Sequence, residues 1–269
     1  MNNIHPTAVV HPSARVDPTA QIGPYAVVGE EAVIGPGTVL GPHAFVEHAT
    51  LGRDNRLHSH CSVGAAPQDL KYRGEKTRLV MGDGNVVREF VSLHRATPAT
   101  GETRIGSGCM FMACSHVAHD CRIGDRVILV NSVGLAGHVQ IDDNAIIGGL
   151  AGVHQFVRIG RYCMVGGGSM VGKDIPPFCT CQGDRARLRG LNLVGLRRAG
   201  FSRDAVRAIK ETYRTLFLSG LPLEEALRRA ESSGGGAEAQ EMVSFVRGAG
   251  KRGVLKAAAR SSAEEEAVL

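Results

Sequence analysis

The strongest constraint on this chain is a six-residue repeat. Steps of six from Ile4 reach Val10, Val16, Ile22, Val28, Ile34, Leu40 and Val46. Four residues after the first seven of these come Ala8, Ala14, Ala20, Ala26, Ala32, Thr38 and Ala44. The register slips by one to Leu51, Leu57 and Val63, then resumes as Met81, Val87 and Leu93. An unbroken apolar run follows from Ile105 through Phe111, Val117, Leu135 and Val153 to Val171. A helix cannot use this spacing, because six steps of about 100° scatter the apolar residues over three directions. In extended chain the positions i, i+4 and i+6 share one face. Turn signals fall on the same period, at His5-Pro6, His11-Pro12, Asp17-Pro18, Gly23-Pro24, Gly35-Pro36 and Gly41-Pro42. The pattern therefore predicts a parallel β-solenoid of short strands and tight corners, stacked coil on coil.

Composition agrees with this. Aromatic residues make up 4% of the 269, with no Trp, so Val, Ile, Leu and Ala must fill the core by regular, shallow packing. A net charge of +5, spread along the chain, argues against a nucleic-acid partner. No apolar run approaches the ~18 residues of a membrane span. The N-terminus MNNIHPTAVV lacks a signal-peptide pattern, and seven Cys are an odd number, as in reduced cytosolic thiols. The expected location is the cytoplasm.

The repeat resembles that of the hexapeptide-repeat acyltransferases. This resemblance implies a left-handed parallel β-helix of triangular section, with three hexads or 18 residues per coil, an exception to the usual right-handed crossover. The expected organisation is a β-helix over 1–178, interrupted by loops near 64–78 and 95–104, then a helical C-terminal domain over 179–269. In that second part GFSRDAVRAIKETYRTLFLSG reads as a helix with Ser202 as N-cap. LPLEEALRRAESS and AQEMVSFVRG read as two shorter helices, and the tail from about Lys256 as frayed.

With 18 residues per coil, Val117, Leu135 and Val153 stack. Two residues after each, His119, Gly137 and Gln155 then form a column with about 4.8 Å per step. His116, Asp120, His138 and His154 surround it. Imidazole suits proton transfer near neutral pH, and a neighbouring carboxylate can orient it. A glycine one coil above can offer a bare N–H to a developing oxyanion. Cys114 and Cys121 flank the group, but Cys121 is a core position, so the pattern favours direct transfer with His119 as base. The alternatives are a solvated polar face on a non-catalytic trimeric scaffold, or a zinc-binding hexapeptide protein. The expectation is that no metal and no cofactor are used.

The motifs AHDC (118–121), LAGHV (135–139), VHQF (153–156), QDLKY (68–72), QG (182–183) and N-x-x-GL-x-R (192–198) are similar to those of the UDP-N-acetylglucosamine O-acyltransferases. The resemblance implies acyl transfer from an acyl carrier protein thioester to the 3-hydroxyl of UDP-N-acetylglucosamine, opening lipid A synthesis. It makes His119 the general base, Asp120 its support and the Gly137 N–H the oxyanion donor. His138, His116, His154 and Gln155 line the sugar and pantetheine site. Asp69 and Lys71 reach the sugar across a subunit boundary, Asn192 and Arg198 contact the nucleotide, and Gly167 floors the acyl groove. A homotrimer and a preference for about fourteen carbons over ten are implied in the same way. Where family members often carry an acidic residue and a further basic one, this chain has Val194 and Ala199. Its Arg185–Arg189 stretch is unusually basic, a patch suited to steering an acidic carrier protein. A 3-amino sugar acceptor remains open at this point.

Overall fold

The computed structural model describes residues 3–258. Its architecture is a parallel β-helix with three flat faces, followed by a four-helix region. Almost every strand of the solenoid is two to four residues long, and each pairs with the strand one lap away, giving sheets of nine, eight and ten strands among the described residues. Val117 lies opposite Leu135, Leu135 opposite Val153 and Val153 opposite Val171, so one lap takes three hexads. The interruptions do not break the ladder: Val63 pairs with Leu93, and Leu93 with Val117. Loops 66–77 and 95–101 are thrown outward from coils that continue beneath them.

The interior is one continuous column of the repeat's aliphatic residues with their small i+4 neighbours. Two coils depart from this. Asn55 and Asn85 take the i+4 place and are fully buried. They form a polar ladder up the corner: Asn55 Nδ2 donates to the carbonyls of Gly52 and Gly82, Asn85 Nδ2 to Asn55 Oδ1, and Cys109 N–H to Asn85 Oδ1. Each amide thereby satisfies backbone groups that a small side chain would leave unpaired.

The corners explain the turn signals. Most are tight turns whose third residue is left-handed, as at Tyr25, His43, Asp120, His138 and Phe156. The residue before it sends its carbonyl to the coil above: His43 N–H donates to Pro24 O, and His138 N–H to His119 O. That residue's own N–H has no ladder partner, which is why proline fits there.

The strands run on past residue 178. Cys179–Gln182 extends the third sheet beside Met164–Val165, and Arg187–Leu191 folds back antiparallel to it. Sequence periodicity is silent here because Pro176-Pro177 ends the hexads while the open sheet edge continues to recruit chain. Four helices follow: α1 (Leu193–Arg198), α2 (Arg203–Phe217), α3 (Leu223–Ser232) and α4 (Gly236–Arg247). Ser202 caps α2 by accepting from Ala205 N–H, as expected. Arg161 holds Glu241 of α4 through contacts of 2.8 Å, and Arg158 bonds both Asp174 and the Phe245 carbonyl, tying the helices to the last coils.

The tail differs from expectation at its start. Lys256 O accepts from Leu188 N–H and Ala258 N–H donates to Leu188 O, because the Arg187–Leu191 strand offers an unpaired edge. Residues 259–269 lie outside the described residues. No helix among the described residues is long and apolar enough to cross a membrane.

The asparagine ladder gives a test. Asn85→Ala leaves the Cys109 amide without its acceptor and the Gly106 carbonyl without its side-chain donor, and should cost about 1–3 kcal/mol, measured by denaturant unfolding against a surface control such as Arg56→Ala.

Candidate active site

The corner between the first and second sheets carries the predicted cluster. His119 sits in the turn place that proline takes at Pro24 and Pro42, and Asp120 is the left-handed residue after it. His119 Nδ1 lies 2.7 Å from Asp120 Oδ2, which leaves Nε2 facing the open side. One coil above, Gly137 lies directly over the ring: a Cβ there would come 2.6 Å from His119 Cε1 and 2.8 Å from Nε2. Glycine is required because the imidazole occupies the space a side chain would fill. The Gly137 N–H, in the proline place of its own turn, donates to no acceptor among the described residues. His138 Nε2 approaches Asp120 Oδ2 at 3.6 Å, and its ring stacks on Phe156 at 4.6 Å.

Asp120 is the buried centre of this group. Its side chain has no solvent exposure. Burial pushes its carboxyl up, but hydrogen bonds from Thr100, His119 and Thr97, with the charge of His138, outweigh this and hold it below the ordinary carboxylate range. His138 is shifted down, since burial outweighs the attraction of Asp120. The Cys121 thiol is pushed up to about 12 by burial and is no nucleophile at neutral pH. His119, Asp120 and His138 bring one ligand atom each within 4.8 Å, so the donor set could hold a cation. The Asp120 oxygens, however, are already engaged with two threonines and a histidine, as in a group held for proton transfer.

His116 lies one strand below Gly134 on the outer face of the first sheet, its Nδ1 2.7 Å from Ser92 Oγ and its ring edge-on to His94. Above it the outward positions are Gly134, Gly152 and then Met170. Two missing side chains open a groove of about 960 Å³ that starts at His116 and His119 and ends among Lys173, Arg185, Arg187 and Lys256. Its floor is apolar, with Leu135, Val153 and Val171; Leu255 closes one side. Met170 is the first side chain to project into it, and its Sδ would lie 2.9 Å from a Cβ placed on Gly152.

Most of the predicted residues meet here. His154 lines the groove, and Gln155 is exposed on the corner one coil above Gly137. Gln68 lines the groove too, and Asp69 next to it is close enough to act electrostatically on His138, while Lys71 is exposed on the same loop. Three residues stand apart. Asn192 caps α1 through Gly195 N–H and donates to Tyr162 O, Arg198 is exposed in the last turn of α1, and neither lines this groove. Gly167 lies on the corner leading to Met170, where a Cβ would meet Gly149 O at 3.2 Å; it is not among the lining residues.

Residues 174–255 match the family "Udp N-acetylglucosamine O-acyltransferase; Domain 2", and residues 102–137 match the bacterial transferase hexapeptide repeats. The chain is 48% identical over 212 residues to an acyl-[acyl-carrier-protein]–UDP-N-acetylglucosamine O-acyltransferase of Burkholderia orbicola, covering 77% of this chain and 80% of the relative. The chain belongs to the UDP-N-acetylglucosamine O-acyltransferase family. The family relative from Myxococcus xanthus is 50% identical over 209 residues, 77% of this chain and 81% of that one. Among solved structures, the Moraxella catarrhalis UDP-N-acetylglucosamine O-acyltransferase superposes with a TM-score of 0.92 at 41% identity, over 94% of this chain and 100% of that chain. The Arabidopsis UDP-N-acetylglucosamine acyltransferase gives 0.84 at 36% identity, over 94% and 100%.

Sequence reasoning missed His94, Thr97, Thr100 and Gln68. Three of the four fall in the two loops and His94 directly precedes the second; the interruptions of the repeat mark these segments, but their contacts follow no period. His94 is buried with Nδ1 unpaired, and burial, then the charges of His116, His119 and Arg95, lower it to about 4. Because the folded value lies below the ordinary imidazole value of 6.5, the unfolded chain binds the proton first, and stability falls as pH drops from 6.5 toward 4. Replacing His94 by Gln should flatten that fall by about 3 kcal/mol, read from denaturant melts at pH 7 and pH 4.

Proposed function

We propose that this protein transfers a 3-hydroxyacyl group from acyl carrier protein to the 3-hydroxyl of UDP-N-acetylglucosamine, the first reaction of lipid A synthesis. The observation that carries the reading is the His119–Asp120 pair lying against the unpaired Gly137 amide at the head of an apolar groove. Asp120 takes Nδ1–H, so His119 Nε2 holds the lone pair that accepts the sugar hydroxyl proton. The sugar oxygen attacks the thioester carbonyl, and the oxyanion of the tetrahedral intermediate accepts from the Gly137 N–H. Collapse breaks the carbon–sulfur bond, and the carrier thiolate takes the proton back from His119.

In this reading Gln68, Asp69, Lys71, His138, His154 and Gln155 surround the sugar. The acyl chain lies along the Gly134–Gly152 groove, and Arg185, Arg187 and Lys173 at its far end attract the acidic carrier protein. Asn192 and Arg198 act on the site of a neighbouring protomer in a homotrimer, consistent with their absence from the groove of their own chain. Seven free cysteines suit a reducing cytoplasm.

His119→Ala should lower kcat by about 100- to 10,000-fold with the fold intact; turnover close to that of the unaltered protein would reject the mechanism. Assays with UDP-N-acetylglucosamine and its 3-amino analogue side by side decide the acceptor. Acyl length is tested with a panel of acyl carrier protein thioesters. The expected optimum is near fourteen carbons, and Met170→Gly should move it to longer chains by opening the next position of the groove. An unchanged profile there, with a shift in Gly167→Met instead, would place the ruler at Gly167.

A further inference from the structure

Asp120 receives more than its two histidines. Thr97 Oγ1 donates to Asp120 Oδ2 at 2.7 Å, Thr97 N–H reaches both carboxylate oxygens at 3.2 and 3.3 Å, and the Thr100 hydroxyl makes a short bond to Oδ1. Both threonines sit on loop 95–101, the second interruption of the repeat, while Thr103 Oγ1 just beyond it accepts from the Asp120 N–H at 2.8 Å. A regular hexad corner at this place would bring neither hydroxyl. The loop therefore builds a polar cradle around a carboxylate with no solvent exposure.

We propose that Thr97 and Thr100 are positioning residues that keep Asp120 ionised and aimed at His119 Nδ1, so that this inserted loop sets the working pH of the base. The inference rests on the reading of His119 as general base. The physical chain is short. A buried carboxylate without donors takes up a proton more readily, because burial penalises the charged form. A carboxylate relieved of two hydroxyl bonds also holds its remaining partner, the His119 N–H, more tightly and stabilises imidazolium. Both effects move protonation of the pair to higher pH. The other groups that bear on it are His138 from the coil above, itself influenced by Asp69, His94 from the coil below, and His116 on the strand of the same coil that leads into the turn. Cys121 beside it stays a neutral thiol. None of these is altered by changing a threonine to its isosteric valine.

The test uses the full-length enzyme with carrier protein thioester and nucleotide sugar across pH 5 to 9. In Thr97→Val and Thr100→Val, the acid limb of kcat/KM should move to higher pH by about half a unit to one unit, and further in the double variant. Thr97→Ser and Thr100→Ser, which keep the hydroxyl, should restore the limb. A purely structural role would lower thermal stability and leave the limb in place, and that result overturns the inference. If the valine variants do not fold, 13C NMR of the Asp120 carboxyl in the unaltered enzyme decides. Titration clearly below the ordinary value of about 3.9 supports the cradle, and titration at or above it overturns it. His119→Ala separates the two levels: a large loss there with an unmoved limb in the valine variants sinks this inference alone. Retained turnover in His119→Ala sinks the reading beneath it.

Discussion

The structure depends on the parallel ladder that joins each strand to the strand one lap away. Two-residue strands have too few hydrogen bonds to be stable singly, so order comes from stacking many identical steps around one apolar column. Every inward position must then be an aliphatic of similar length, with a small residue beside it at the corner. That demand is met from Ile22 to Val171 with few exceptions. Where it is not, as at Asn55 and Asn85, a buried amide ladder replaces packing with hydrogen bonds that run in the same direction.

The same constraint makes the candidate active site. A turn repeated at each lap puts equivalent residues in register, so His119, Gly137 and Gln155 share a column without any loop being shaped to bring them together. The turn also leaves one N–H per corner without a ladder partner. At many corners that group is deleted by proline or donates to a side-chain oxygen of the next coil, as Ser107 does to Asp125; at Gly137 it lies beside an imidazole. The site therefore uses a feature that the scaffold has at every level, and its specialisation lies in what surrounds it.

That specialisation comes from the interruptions. Loop 66–77 brings Gln68 and Asp69 to the cluster, and loop 95–101 brings the two threonine hydroxyls to Asp120. On the outer face, two glycines in succession hollow the sheet into a groove, and segment 183–187, with Leu255, walls its upper end. At Asp120 burial works against ionisation, and the hydrogen bonds from Thr100, His119 and Thr97 with the charge of His138 outweigh it.

The six-residue period determined the solenoid, its core and the stacking of His119, Gly137 and Gln155, because an 18-residue lap converts spacing directly into neighbourhood. It also placed His116, His138 and His154 near them, and resemblance added the family. Only the tertiary structure decided how the two non-repeating loops fold back, since their paths follow contacts with distant coils rather than a period. For the same reason it alone brought Thr97 and Thr100 to Asp120 and set the Met170 side chain in the groove. It also drew Lys256–Ala258 onto the edge at Leu188, an edge created by chain beyond the last hexad. Periodic chain carries its own coordinates; the parts without a period acquire theirs from what they pack against.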